Sequence, residues 1–163
     1  MSGTPGISIA PASNPADIAA IHALFLEYAE SLDFDRCFQG FDAELATLPG
    51  RYAGPRGCLL LARGPDGAVA GGVGVRPLSG TDAEMKRLYV RPAYRGRSIG
   101  RLLADRGVDF ARGAGYACLR LDTIAGRMAA AEALYHRMGF EATPAYYDNP
   151  VAGAVYYRLR LRR

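Results

Sequence analysis

Residues 82–123 constrain the fold more than any other stretch of this chain. DAEMKRLYVRP (82–92) reads as a strand closed by Pro92, a residue that cannot donate to a ladder. A basic loop follows, then an amphipathic helix over 99–112 that GAG (113–115) stops. YACLRLDT (116–123) is the next strand. Strand, helix and strand in direct succession predict a parallel pair, because parallel neighbours need a helix-length crossover. In sheets of this kind ligands collect at the carboxyl ends of the strands.

The flanking sequence supplies the rest of one sheet. GISIAPA (6–12) predicts a strand, and residues 14–32 a helix with its apolar stripe at Ile18, Ile21, Ala23, Leu24, Phe25 and Tyr28. Asn14 suits the N-cap of that helix and Pro15 its first position. A second short helix is expected from about Asp42. Two apolar runs around GPDG (64–67) read as a hairpin. A helix over 127–138 and a strand over 154–161 complete the pattern. The expected fold is α/β: a single mixed, mostly antiparallel sheet flanked by helices, in one domain spanning 1–163.

Composition excludes several function classes. Half of the 163 residues are hydrophobic, so the chain reads as globular. No apolar run approaches the roughly 20 residues of a membrane span and no signal-peptide pattern opens the chain, which gives a soluble cytoplasmic protein as the expectation. Cys37, Cys58 and Cys118 form no CxxC pair and sit near no histidine cluster, so they read as buried free thiols, with no metal site. The net charge of +4 comes almost wholly from scattered arginines, with Lys86 the only lysine. No interleaved aromatics or recognised motif accompany them, so no nucleic-acid partner is expected.

The loop YRGRSIGR (94–101) carries the chemistry. Backbone N–H groups at the start of a helix have no internal partners, and the helix dipole adds positive potential there. A phosphate can accept several of these donors if no side chain blocks it. Gly96 and Gly100 give clearance, while Arg95, Arg97 and Arg101 add charge. The same residues also fit an ordinary helix start with Ser98 as the cap and Gly100 close to a neighbouring strand. A Walker loop is excluded, since GxxxxGK[ST] is missing, and so is the G-x-G-x-x-G fingerprint.

Taken together, LYVRPAYRGRSIGRLL (88–103) and AEALYHRMGF (131–140) resemble the two signatures of the GNAT superfamily of acyl-CoA N-acyltransferases. The first matches the family's pyrophosphate loop, except that Ser98 stands where a glycine is usual. The second matches A-x-x-L-Y-x-x-x-G-F. Met128 occupies a place where many members carry an asparagine near the cofactor.

The resemblance implies acetyl-CoA as co-substrate, with its pyrophosphate on Arg95, Gly96, Arg97, Ser98, Ile99, Gly100 and Arg101. Backbone groups of Leu88, Tyr89 and Val90 would bind the pantetheine arm, and an N–H there would face the thioester carbonyl. Tyr135 corresponds to the family's general acid, whereas its spacing alone equally fits an apolar stripe with Met128, Ala131 and Met138. Glu84 corresponds to a glutamate some members use as base. Strand alternation places it on one face with Lys86 and Leu88, and an edge charge or an ion pair with Lys86 or Arg87 is the other reading. His136 should point away from Tyr135, about 100° around the helix, and His22 lies far in sequence from both signatures.

The implied activity is N-acetylation of a primary amine on a small molecule or amino-acid-like acceptor. Acetylation of protein lysines or N-termini, and a non-catalytic acyl-CoA-binding regulatory domain, stand as alternatives. Phe34, Phe38, Phe41 and PAYYDNP (144–150) are expected to wall the acceptor pocket or to form a lid core. No membrane partner is expected, and a homodimer is compatible with the sequence.

Overall fold

In the computed structural model the described residues are 6–32, 40–125, 129–147 and 153–161. Their order is β1 (Ser8–Pro11), α1 (Pro15–Leu32), α2 (Phe41–Ala46), β2 (Cys58–Arg63), β3 (Val69–Pro77), β4 (Asp82–Val90), α3 (Ile99–Gly113), β5 (Cys118–Ile124), α4 (Ala129–Met138), β6 (Glu141–Thr143) and β7 (Ala154–Arg160). The strands form one seven-stranded sheet in the order β1-β2-β3-β4-β5-β7-β6. Only the β4–β5 pair is parallel, and it is the pair that α3 connects.

Local chemistry explains the element starts. The N–H of Asp17 donates to Asn14 Oδ1 at 2.8 Å, and the Ser13 N–H donates back to Asp17 Oδ2 at 3.3 Å. These bonds satisfy orphan donors reciprocally where Pro15 opens α1. The three-residue β6 has no counterpart in the sequence reading, because a run that short carries no periodicity to detect.

Helices cover both faces. One face packs Val73, Val75, Met85, Leu119 and Leu121 against Leu103, Ala104 and Val108 of α3 and Leu134 and Tyr135 of α4. The other packs Leu59, Leu61 and Tyr52 against Ile21, Leu24 and Phe25 of α1 and Phe41 and Leu45 of α2. Each fully buried Leu, Ile or Phe contributes about 1.5–3 kcal/mol of transfer free energy. Phe41 is wholly enclosed, so of the two readings of the Phe-rich stretch this residue takes the core one; Phe34, Phe38 and Cys37 lie outside the described residues.

Candidate active site

The sheet opens between β4 and β5. Their pairing ends at Glu84↔Arg120, while β5 stays paired to β7 as far as Ile124↔Ala154. From Met85 to Val90 the β5-facing edge of β4 therefore has no strand partner, and this edge lines a fork.

A bulge sits where the strands part. Lys86 pairs with Gly74 and Tyr89 with Gly72, so two residues of β4 face the single Val73 of β3. Arg87 takes a positive φ of 64° to accommodate the extra residue. This corrects the simple alternation expected from sequence. Glu84 and Lys86 do share the α1/α2 face, but the bulge sends Leu88 to the α3 side and Tyr89 back towards α1.

The loop ahead of α3 forms a cup of donors. Gly96 (φ 82°) and Ser98 (φ 61°) both adopt left-handed backbone. Among the described residues the N–H groups of Gly96, Ser98, Ile99, Gly100 and Arg101 have no acceptor, and the helix ladder begins only with the Leu102 N–H on the Ser98 carbonyl. Ser98 occupies the N-cap position but its side chain caps nothing, contrary to the ordinary helix-start reading. Successive unspent N–H groups at a helix N-terminus suit an anion.

The arginines of the loop are partly engaged elsewhere. Arg95 Nε donates to the Val90 carbonyl at 3.0 Å, and Arg101 pairs with Asp105 at 3.1 Å on the exposed helix surface. Arg97 lies over the Tyr94 ring. The backbone is thus the better-prepared part of the cup.

Gly100 tests this from the inside. A Cβ built there would meet nothing nearer than Val90 Cγ2 at 3.8 Å, an ordinary contact, and its φ is not positive. Neither the neighbouring strand nor the backbone requires glycine, which costs about 1 kcal/mol relative to alanine inside a helix. The missing side chain leaves space for something outside the fold.

Serine at φ 61° is strained by roughly 1–2 kcal/mol, which is the physical reason a glycine suits the position. Ser98→Gly should raise stability by about 0.5–1 kcal/mol, a melting-temperature gain of ~1–4 °C at this size. Ser98→Ala should give no such gain, because alanine keeps the Cβ. If the hydroxyl also touches the bound anion, both variants will weaken its binding, Ser98→Gly less than Ser98→Ala because losing the Cβ clears the cup.

Tyr135 lies on α4 with its ring packed against Phe140 and Tyr157, centroids 5.5 and 6.5 Å away. Its hydroxyl has no hydrogen bond among the described residues. Burial first, and then the nearby Tyr28 and Asp122, push the phenol above its ordinary range. Those two neighbours place it beside the fork. His136 is exposed as expected, and half-buried His22 lines a pocket with Leu45 and Leu48. Met128 lies outside the described residues.

Across the fork runs a chain of buried charges. Glu84 is 2% exposed and takes Arg76 Nε at 3.1 Å, the Tyr146 hydroxyl at 2.7 Å and Lys86 Nζ at 3.8 Å. Lys86 also reaches Asp122 at 3.0 Å, and the Tyr147 hydroxyl donates to Asp122. Burial lowers the Lys86 pKa against the pull of Glu84 and Asp122. Of the non-catalytic readings of Glu84, the structure shows the ion pair with Lys86 and not an exposed edge charge. The sequence reading missed Asp122, Tyr146 and Tyr147 as partners of β4, since only an isolated carboxylate and a tyrosine pair signalled them.

Residues 18–140 match the model of the Acetyltransferase (GNAT) family. The chain belongs to the GNAT family. An uncharacterized N-acetyltransferase of Schizosaccharomyces pombe is 38% identical over 96% of both chains. Among solved structures, a GNAT-family acetyltransferase of Staphylococcus aureus superposes with a TM-score of 0.79 at 19% identity, covering 96% of this chain and 99% of the other. A putative acetyltransferase of Salmonella typhimurium, solved with acetyl-CoA, gives 0.73 at 24% identity, covering 96% and 95%. GNAT acetyltransferases use acetyl-CoA as co-substrate, and this chain is an N-acetyltransferase of that family. Among the described residues no group of His, Cys, Asp or Glu is placed to hold a metal ion, and no helix is long and apolar enough to cross a membrane.

Proposed function

We propose that the chain, as one cytoplasmic GNAT domain, moves the acetyl group of acetyl-CoA directly to a primary amine of a small or amino-acid-like acceptor. The observation that carries this is the fork: unspent N–H donors at one end and an unbonded phenol beside it. A small acceptor is supported by Tyr146 and Tyr147, whose hydroxyls turn onto Glu84 and Asp122 and fill the sheet face beside the opening.

When bound, acetyl-CoA supplies an activated thioester whose sulfur leaves as a thiolate. The N–H groups of residues 96–101 hold the pyrophosphate, with Arg95, Arg97 and Arg101 adding charge. Backbone groups of Leu88, Tyr89 and Val90 hold the pantetheine arm, and one N–H of that edge faces the carbonyl oxygen as charge develops on it. Tyr135 gives its hydroxyl proton to the sulfur, and its raised pKa keeps the phenol fully protonated at neutral pH.

Glu84 is too enclosed to meet an amine directly. In this reading Tyr146 Oη takes the ammonium proton as its own proton passes to Glu84 Oε2. Tyr146→Phe should therefore lower kcat/KM roughly tenfold near pH 7, less than loss of a directly acting base, because water can replace one hydroxyl. The deficit should fade above the amine's own pKa, roughly 8–10, where no proton remains to be removed. A deficit that stays constant across pH would remove Glu84 and Tyr146 from proton transfer.

The acceptor class is tested by thiol release from acetyl-CoA over a panel of amines, amino acids and peptides. Turnover with small amines is expected. Turnover confined to peptides would make the chain a protein acetyltransferase, and tight acetyl-CoA binding without turnover would make it a binding domain.

A further inference from the structure

Arg87 is a long charged residue held at φ 64° in mid-strand, a backbone state that costs a non-glycine residue about 1–2 kcal/mol. Such strain persists only where the surroundings over-determine it. Everything found around its guanidinium comes from the α1/α2 side. Glu44 of α2 receives it in a two-pronged pair, Nε on Oε2 and Nη2 on Oε1, both at 3.2 Å. The Phe41 ring lies 4.8 Å away and the Tyr28 ring 6.0 Å. The side chains of Arg87 and Glu44 are only 5% and 10% exposed. Burial alone would raise the Glu44 carboxyl, but Arg87, with Arg76 and the Tyr52 hydroxyl, outweighs it and holds the group below the usual carboxylate range.

We infer that Glu44 is a positioning residue for acetyl-CoA: by gripping Arg87 from α2 it holds the β4 bulge, and the bulge sets the strand edge Leu88–Val90 for the pantetheine arm. Glu44 itself sits on α2, so the grip also ties that helix to the co-substrate edge. The bulge is what turns Leu88 and Tyr89 to their observed faces, so relaxing it would shift the register of the edge. Charge-assisted two-pronged pairs are the ones with enough directionality to fix a guanidinium in this way.

This inference rests on the proposed seat of acetyl-CoA along β4. Its test is calorimetric titration of acetyl-CoA into the parent, Glu44→Gln, Arg87→Gly and the double variant, with melting temperatures alongside. Glu44→Gln keeps the shape but loses the charge, and should raise the acetyl-CoA Kd about tenfold. Glycine adopts φ 64° without strain, so Arg87→Gly should keep the bulge and bind within about threefold of the parent. In the Arg87→Gly background, Glu44→Gln should then leave Kd unchanged. A merely structural Glu44 would lower the melting temperature in both backgrounds and leave Kd alone. Unchanged Kd in folded Glu44→Gln, or an equal Kd change in both backgrounds, would overturn the inference. Gly100→Val in the same series reports separately on the co-substrate's seat.

Discussion

Tyr135→Phe should lower kcat by roughly 10²–10⁴, the usual worth of a lost general acid, or about 2.7–5.4 kcal/mol of barrier. Phenylalanine keeps the ring that packs between Phe140 and Tyr157, so the hydrophobic layer under α4 is undisturbed. The hydroxyl makes no hydrogen bond among the described residues, so its removal leaves no buried partner unsatisfied. Melting temperature and acetyl-CoA affinity should accordingly stay close to the parent. Packing and chemistry therefore make opposite claims on one oxygen atom. A variant with full turnover would leave the thiolate to be protonated by water and return Tyr135 to the core.

Gly100→Val should raise the acetyl-CoA Kd by about a hundredfold, roughly 2.7 kcal/mol. The fold has room for the new side chain, because only Val90 Cγ2 lies within 4 Å of a Cβ there. Helix propensity also favours valine over glycine slightly. Stability should hold or rise while binding falls, which separates a blocked ligand seat from a damaged protein. Calorimetric titration and a melting curve on the same sample decide it. Unchanged affinity would move the pyrophosphate away from residues 96–101.

The parts of this design that local chemistry controls were legible in the chain. The Asn14–Pro15 start of α1, the GPDG hairpin and the strand–helix–strand unit at 82–123 follow from caps, turn residues and periodicity, each a property of neighbouring residues. The donor cup was legible for the same reason, since glycines and a helix start announce it. Even there, the left-handed backbone of Ser98 was hidden, because a serine in that stretch reads as a cap.

What distant residues decide was not legible. One extra residue at Arg87 reverses the face of Leu88, and nothing in DAEMKRLYV marks it, since the residue that absorbs the positive φ is held there by Glu44, 43 positions earlier. Glu84 is sealed by Arg76, Lys86 and Tyr146, of which the sequence suggested only Lys86; Tyr146 comes from 62 positions away. Periodicity and capping are short-range and can be read one element at a time. By itself, then, the sequence determined every element but β6, their order and the donor loop. Tertiary structure decided the fork, the bulge and the pairing of the buried charges, because a charge's partner and a strand's register are set across the sheet, where adjacency in sequence carries no information.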